Sequence, residues 1–266
     1  MLLVIQNKMA MKVTNSPDGE VYTSIHFDKT TVDKVWQEAV GYRRRSKQRF
    51  HYGLFEQPQG FLQGLVPLAD REHYRFSRLP HFGLRDMDTV CTQFSLSADE
   101  AGVLRREFGP LFTEPGWFEA DTPVRHIFCE EAIEDALLKS RHICPEPAAM
   151  LGRRVFILTP VLVSQLVHMK ALLETHRNFE VCFLSEDVFK KLTMQIACWG
   201  DKAAIGWIPG GKSAACKDYT NVNALTGFCS AVWDKIPNPV KSRRTALRKI
   251  NTWLKKAEKY GYSVTG

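Results

Sequence analysis

Two short apolar runs, Arg153–Leu158 (RRVFIL) and Phe179–Leu184 (FEVCFL), flank a segment of helical periodicity, and this order constrains the fold of the 266-residue chain most. A strand reaches a parallel neighbour only through a long crossover, and a helix of about 16 residues supplies one. Thr159 is placed to cap that helix and Pro160 to occupy its first turn, where a missing N–H costs nothing. The pattern predicts a βαβ unit with a right-handed crossover, and with it an α/β fold, α+β over the whole chain. Ser185 should then cap a short helix. Met194–Trp199 and Lys202–Ile208 read as strands joined at Gly200-Asp201, with a further strand near Ser213–Lys217. A helix over Asn223–Trp233 follows, and Ile236-Pro237-Asn238-Pro239 breaks the chain before a last helix.

The first half is less periodic. Gly19–Phe27 reads as a strand entered through the turn Ser16-Pro17-Asp18-Gly19. Thr30 or Thr31 should cap a helix carrying Val32, Val35, Trp36 and Ala39. Residues 53–94, rich in Gly, Pro and aromatics, predict loops and short strands. Ser97 and Glu100 form a capping box for a helix that ends before Gly109-Pro110. A second helix is expected over Cys129–Ser140. Cys144-Pro145-Glu146-Pro147 looks like a boundary. The expected organisation is therefore a mixed α+β region over 1–144 and an α/β domain over 145–266 ending in a basic amphipathic helix.

A net charge of +7 favours acidic partners. Seven cysteines, an odd number with no CxxC pair, argue against a disulfide scaffold and for a reduced, cytoplasmic protein. The apolar run in MLLVIQNKMAMK is too short for a leader or a membrane span, so no membrane partner is expected.

The last helix carries the clearest functional signal. Lys241, Arg244, Arg248, Lys255 and Lys259 fall within about 60° of arc, and Leu247, Ile250, Trp253, Leu254 and Ala257 lie opposite them. A rod of cations suits a phosphate backbone, because each neutralised phosphate releases counterions. A solvated face of a basic protein would have the same composition. Arg43, Arg44 and Arg45, continued by Lys47 and Arg49 beside Tyr42, Phe50 and Tyr52, form a second cationic patch with aromatic neighbours suited to single strands.

Other motifs fit their contexts less well. Gly206 to Ser213 satisfies the pattern G-x-x-x-x-G-K-[ST], yet Ser213 onward reads as a strand where a phosphate-binding loop needs a helix, so a hairpin is expected. His126, Cys129, His142 and Cys144 are zinc ligands by type, but a helix between the two pairs would hold them about 16 Å apart. Arg45 and His51 echo a ribonuclease spacing at loose register. Asp86, Asp88, Glu130, Glu131, Glu134 and Asp135 are the densest acids; a solvated face paired to Arg141 or Lys139 is expected. No metal or cofactor is expected.

The succession RRVFIL, helix, NFEVCFLS, helix, MQIACWGDKAAIGW, strand and a helix ending AVWDKIP resembles the C-terminal effector-sensing domain of some prokaryotic transcriptional regulators, itself similar to half of a phospholipase-D fold. The resemblance rests on Gly200-Asp201-Lys202-Ala203-Ala204 and on Trp233, and covers the stretch from Arg153 to Pro237. It implies a DNA-associated regulator with a sensing domain. The catalytic pattern of that fold, His-x-Lys followed at a fixed distance by Asp, is not met: His168-Met169-Lys170 lies mid-helix and the next acid is Glu174. The resulting expectation is a non-enzymatic, nucleic-acid-associated regulatory protein that contacts DNA or RNA through its last helix. The alternatives are a nucleotide- or phosphodiester-processing enzyme and a scaffold docking on an acidic protein.

Overall fold

The computed structural model describes residues 2–5, 9–15, 21–26, 28–45, 72–80, 87–108, 121–139, 141–143, 155–191, 195–208 and 212–264. The chain forms two units, Met1–Leu54 and Phe55–Gly266. In the first, β1 (Leu2–Ile5), β2 (Met9–Asn15) and β3 (Val21–His26) make an antiparallel meander, followed by α1 (Lys29–Arg45). Ala10, Val32 and Val35 are its buried core. The cap of α1 is Asp28, whose carboxylate accepts from the Thr31 N–H at 2.8 Å. Thr30 and Thr31 thus lie inside the helix, because a carboxylate upstream of them already reaches the first free N–H groups.

The second unit is built on a six-stranded sheet. Its elements in chain order are β4 (His73–Ser77), α2 (Met87–Gln93), α3 (Ala98–Phe108), β5 (Val124–Cys129), α4 (Glu130–Leu138), β6 (Arg141–Ile143), β7 (Phe156–Leu158), α5 (Thr159–Thr175), β8 (Phe179–Leu184), α6 (Glu186–Lys191), β9 (Gln195–Trp199), β10 (Ala203–Ile208), β11 (Lys212–Cys216), α7 (Tyr219–Lys235) and α8 (Arg243–Lys259). The spatial order is β11-β10-β9-β4-β5-β8. Strands β4, β5 and β8 run parallel, whereas β9, β10 and β11 form an antiparallel meander beside β4. The α/β class stands. The units do not divide at the boundary expected at residue 144: β4 and β5 precede it and share the sheet with β8 to β11.

The βαβ unit expected over 153–184 is also corrected. Strand β7 pairs antiparallel with β6 in a separate two-stranded ribbon, and the parallel neighbour of β8 is β5. The crossover therefore runs from β5 through α4, the ribbon and α5 to β8. Strand β5 was hidden by Arg125 and His126, polar residues in a strand whose neighbours are buried on both faces.

The two sheet faces bury different material. One carries Val124, Phe128, Phe179, Val181, Phe183, Ala197, Trp199 and Ile205, packed with residues of α2 to α5 and α8. The other carries Tyr74, Phe76, Ile127, Cys182, Ile196, Cys198, Ala204 and Cys216, packed with Val222, Leu225, Cys229 and Trp233 of α7. Helices on both faces make a three-layer α/β/α arrangement. No helix among the described residues is long and apolar enough to cross a membrane.

Local signals place the elements around α8. The capping box forms: Glu100 N–H donates to Ser97 Oγ at 3.2 Å, and Ser97 N–H to Glu100 Oε2 at 3.0 Å. Asp218 caps α7 through the Asn221 N–H at 2.9 Å. Ser242 caps α8 through the Thr245 N–H at 3.3 Å. At the helix expected to be capped by Thr159, the cap position is Leu158, and the Thr159 hydroxyl instead donates to the Ala136 and Lys139 carbonyls at the end of α4.

Candidate nucleic-acid interface on the terminal helix

Helix α8 docks by the face its sequence predicts. Ala246, Ile250, Trp253, Leu254 and Ala257 are buried, with Leu247 half-buried beside them. The Trp253 ring meets Phe183 edge-on with centroids 4.7 Å apart, and its Nε1–H donates to Glu134 at 3.3 Å.

The seven cations of α8 divide into two sets. Arg243, Lys249 and Lys256 are consumed in docking. The Arg243 guanidinium donates to the Leu173 carbonyl and, at 2.7 Å, to that of His176. It also donates to the carbonyls of Arg177 at 3.1 Å and Phe179 at 3.2 Å. The bonds to Leu173, His176 and Arg177 satisfy acceptors at and just beyond the C-terminal end of α5 that have no intrahelical donor. Lys249 pairs with Glu130 at 2.5 Å and donates to the Phe183 carbonyl at 3.4 Å. In a parallel ladder where Val124 N–H donates to Asn178, the carbonyls of Phe179 and Phe183 point away from β5. Arg243 and Lys249 therefore cover the outer edge of β8, which would otherwise invite another strand. Lys256 pairs with Glu134 at 2.8 Å; this hydrogen bond holds the Glu134 carboxyl below its usual range and raises the Lys256 ammonium.

Arg244, Arg248, Lys255 and Lys259 form the second set. All four are exposed, and among the described residues none has an ion-pair partner. They stay within about 60° of arc and span about 22 Å along the axis at 1.5 Å per residue. Glu258 is the one carboxylate of α8 and sits at the edge of this sector. A recess of about 710 Å³ opens here, its described lining including Arg244, Leu247, Arg248, Asn251, Thr252 and Lys255.

Lys241, expected on this stripe, lies ahead of the helix. The Pro237-Asn238-Pro239 turn ends at the cap Ser242, so the Lys241 ammonium turns back to donate to the Trp233 carbonyl at 3.1 Å and lies 5.7 Å from the Trp233 ring centre. Arg43, Arg44 and Arg45 end α1 in the first unit, and their side chains lie outside the described residues, as do Lys47, Arg49, Phe50, His51 and Tyr52.

Several other candidates resolve into structure. Gly206 to Ile208 and Lys212-Ser213 belong to the antiparallel pair β10–β11, with Ile208 opposite Lys212, so the P-loop pattern spans a hairpin. His126 and Cys129 lie three residues apart on β5 and so face opposite sides of the sheet. His126 points at His73 (3.4 Å between ring nitrogens), whereas Cys129 belongs to the core under α7. Among the described residues no group of three His, Cys, Asp or Glu could hold a metal, and Cys144 lies outside them. His168 and Lys170 sit within α5, where Lys170 pairs with Glu174 at 4.0 Å. Asp88 pairs with Arg105, and Asp86 lies outside the described residues.

The acidic face of α4 is a correction. It was expected to be solvated, with Lys139 or Arg141 as partner. Asp135 does pair with Lys139, but Glu130 and Glu134 hold α8, and Glu131 accepts from the Glu186 N–H at 2.8 Å. Sequence reasoning also missed a cluster at the carboxyl ends of β4, β5 and β8, where α/β sheets commonly hold ligands. Both carboxylate oxygens of Glu186 accept from Arg78, at 2.8 and 2.5 Å, and the Cys129 thiol donates to Glu186 at 3.1 Å. Burial first, and then the Glu186 carboxylate, pushes the Cys129 thiol up to about 12, which keeps it from acting as a nucleophile at neutral pH. No disulfide joins any of the six described cysteines.

No protein-family model, curated protein or solved structure matches this chain.

Proposed function

We propose that this chain is a non-enzymatic, nucleic-acid-associated regulatory protein of the cytoplasm, and that α8 contacts phosphates through Arg244, Arg248, Lys255 and Lys259. The division of cations on α8 carries this reading. Arg243, Lys249 and Lys256 have partners within the fold, while the outer four have none among the described residues and share one line. Arg244 with Arg248, and Lys255 with Lys259, are like charges four residues apart, each pair costing the helix about 0.2–0.5 kcal/mol. The fold gains nothing from that cost, and a polyanion would offset it. The sensing role implied by the resemblance of residues 153–237 belongs to the same proposal, supported by the order of β8, the β9–β10 hairpin and the helix that ends near Trp233.

Anisotropy of a labelled DNA probe across a salt series tests the reading. Arg244→Glu with Arg248→Glu is expected to weaken binding on the order of 100-fold at low salt. Because both side chains project to solvent, the melting temperature should be unchanged or slightly raised. Equal affinity in the double variant and the parent would remove α8 from any nucleic-acid interface.

A further inference from the structure

We infer that α8 lies along the outside of a nucleic-acid duplex, touching phosphates only and reading no sequence; this rests on the phosphate-contacting role proposed above. An α-helix with its side chains is about 10–12 Å across, and a major groove about 12 Å wide and about 8.5 Å deep must admit nearly all of it. Helix α8 cannot be admitted. Lys249 and Lys256 reach α4 from one flank. Their directions lie about 130° around the axis from Arg244. Arg243 reaches the end of α5 from the other flank, at about 100° in the opposite sense. Packed helices stand about 8–10 Å from their neighbours, so both flanks of α8 are blocked by its own fold. What remains is a sector of about 120° holding Arg244, Arg248, Asn251, Thr252, Lys255 and Lys259, with Glu258 at its margin.

That sector is built for backbone contact. Measured along the axis from Arg244, the groups Arg248, Thr252, Lys255 and Lys259 fall at about 6, 12, 16.5 and 22.5 Å, a nearly even row of donors. Arg, Lys, Asn and Thr all bind phosphate oxygens; Arg, Lys and Asn also read base edges, but only from within a groove, and the flanks of α8 deny that entry. The sector has no aromatic side chain. Single-strand binding relies on aromatic platforms for unstacked bases, whereas a duplex arrives with its bases already stacked. The surface therefore fits a duplex.

The test uses the full chain and labelled 24-base-pair DNA duplexes of three unrelated sequences, the single strand of one of them, and a duplex methylated at guanine N7 in the major groove. Expected are affinities within about twofold across the three duplexes and the methylated one, at least fivefold weaker binding of the single strand, and a log–log salt slope near −3.6, about −0.9 for each of four phosphates. Arg248→Ala should reduce that slope by about one unit for all three sequences alike. A preference above tenfold for one sequence, loss of binding on N7 methylation, or tighter binding of the single strand overturns the duplex-exterior mode while leaving phosphate contact intact. Absence of binding to every probe at low salt overturns both that mode and the function on which it rests.

Discussion

The acidic face of α4 and the outer basic face of α8 look alike in sequence, each a charge run on an amphipathic helix, yet the fold treats them oppositely. Every acid of the α4 run is engaged: Glu130 and Glu134 by lysines of α8, Glu131 by a backbone N–H beyond β8, and Asp135 by Lys139. The outer cations of α8 meet no acid among the described residues. Residue type does not separate a docked charged face from an unmatched one; pairing does. A charge matched inside the fold is explained by the fold. A row of like charges left unmatched lowers helix stability slightly, and the fold itself does not account for it.

The comparison depends on α8 being firmly docked, and Trp253→Ala tests that most severely. Trp253 is buried, packed edge-on against Phe183 and hydrogen-bonded to Glu134. Truncating such a residue costs about 3–5 kcal/mol, a large share of the roughly 5–15 kcal/mol that holds a typical domain together. Chemical denaturation should show that loss. A cost below about 1 kcal/mol, the ordinary effect of a point mutation, would mean that α8 does not rest on the sheet as described. The distinction between its inner and outer faces would fail with it.

A second prediction separates stability from binding. His73 and His126 are buried with their ring nitrogens 3.4 Å apart, and burial above all, with the nearby Arg75, holds both well below the ordinary histidine value. At these two imidazoles the unfolded chain takes up protons below about pH 6.5, where the folded chain resists doing so. Stability is thus complete above that pH and declines as pH falls below it, by about 1.4 kcal/mol per pH unit for each imidazole. Neither face of α8 carries a histidine, the side chain that ordinarily changes charge just below neutrality. Denaturation midpoints should fall between about pH 6.5 and 5.5 while the affinity of the folded protein for duplex DNA holds. Constant stability down to about pH 5 would show that the two imidazoles are not kept neutral.

Much of this was legible beforehand, for physical reasons that differ by element. The docking face of α8, the capping box at Ser97 and the β10–β11 hairpin were readable because local periodicity and turn chemistry decide them. Strand β8 emerged because FEVCFL is a short apolar run broken only by Glu180, as suits a strand covered by helices on both faces. Its partner did not emerge. Pairing is a long-range choice, and β5 disguises itself with Arg125 and His126, the first held by Glu180 at 2.8 Å and the second by aromatic neighbours. Lys249 and Lys256 were invisible as clamps because their acids lie far upstream in the sequence, on α4. Lys241 was placed on the helix because periodicity alone gives no account of where a Pro-x-Pro turn ends and a serine cap begins.

The smallest expected effect marks the limit of the comparison. Lys256 and Glu134 sit 2.8 Å apart, and both side chains are more than a third exposed. Water therefore screens the pair, and their mutual pKa shifts convert to little stability. Lys256→Gln, which preserves length and helix propensity, should cost a few tenths of a kcal/mol. It should also leave duplex affinity within about twofold, because this ammonium faces α4. Lys255→Gln is the matched control on the adjacent residue: stability unchanged or raised by a few tenths of a kcal/mol, but a salt slope shallower by about one unit. Neighbours in sequence, the two lysines differ only in which side of α8 they leave. If both variants weaken duplex binding equally, net charge alone governs association, and the division of α8 into a docked face and a binding face has no functional content.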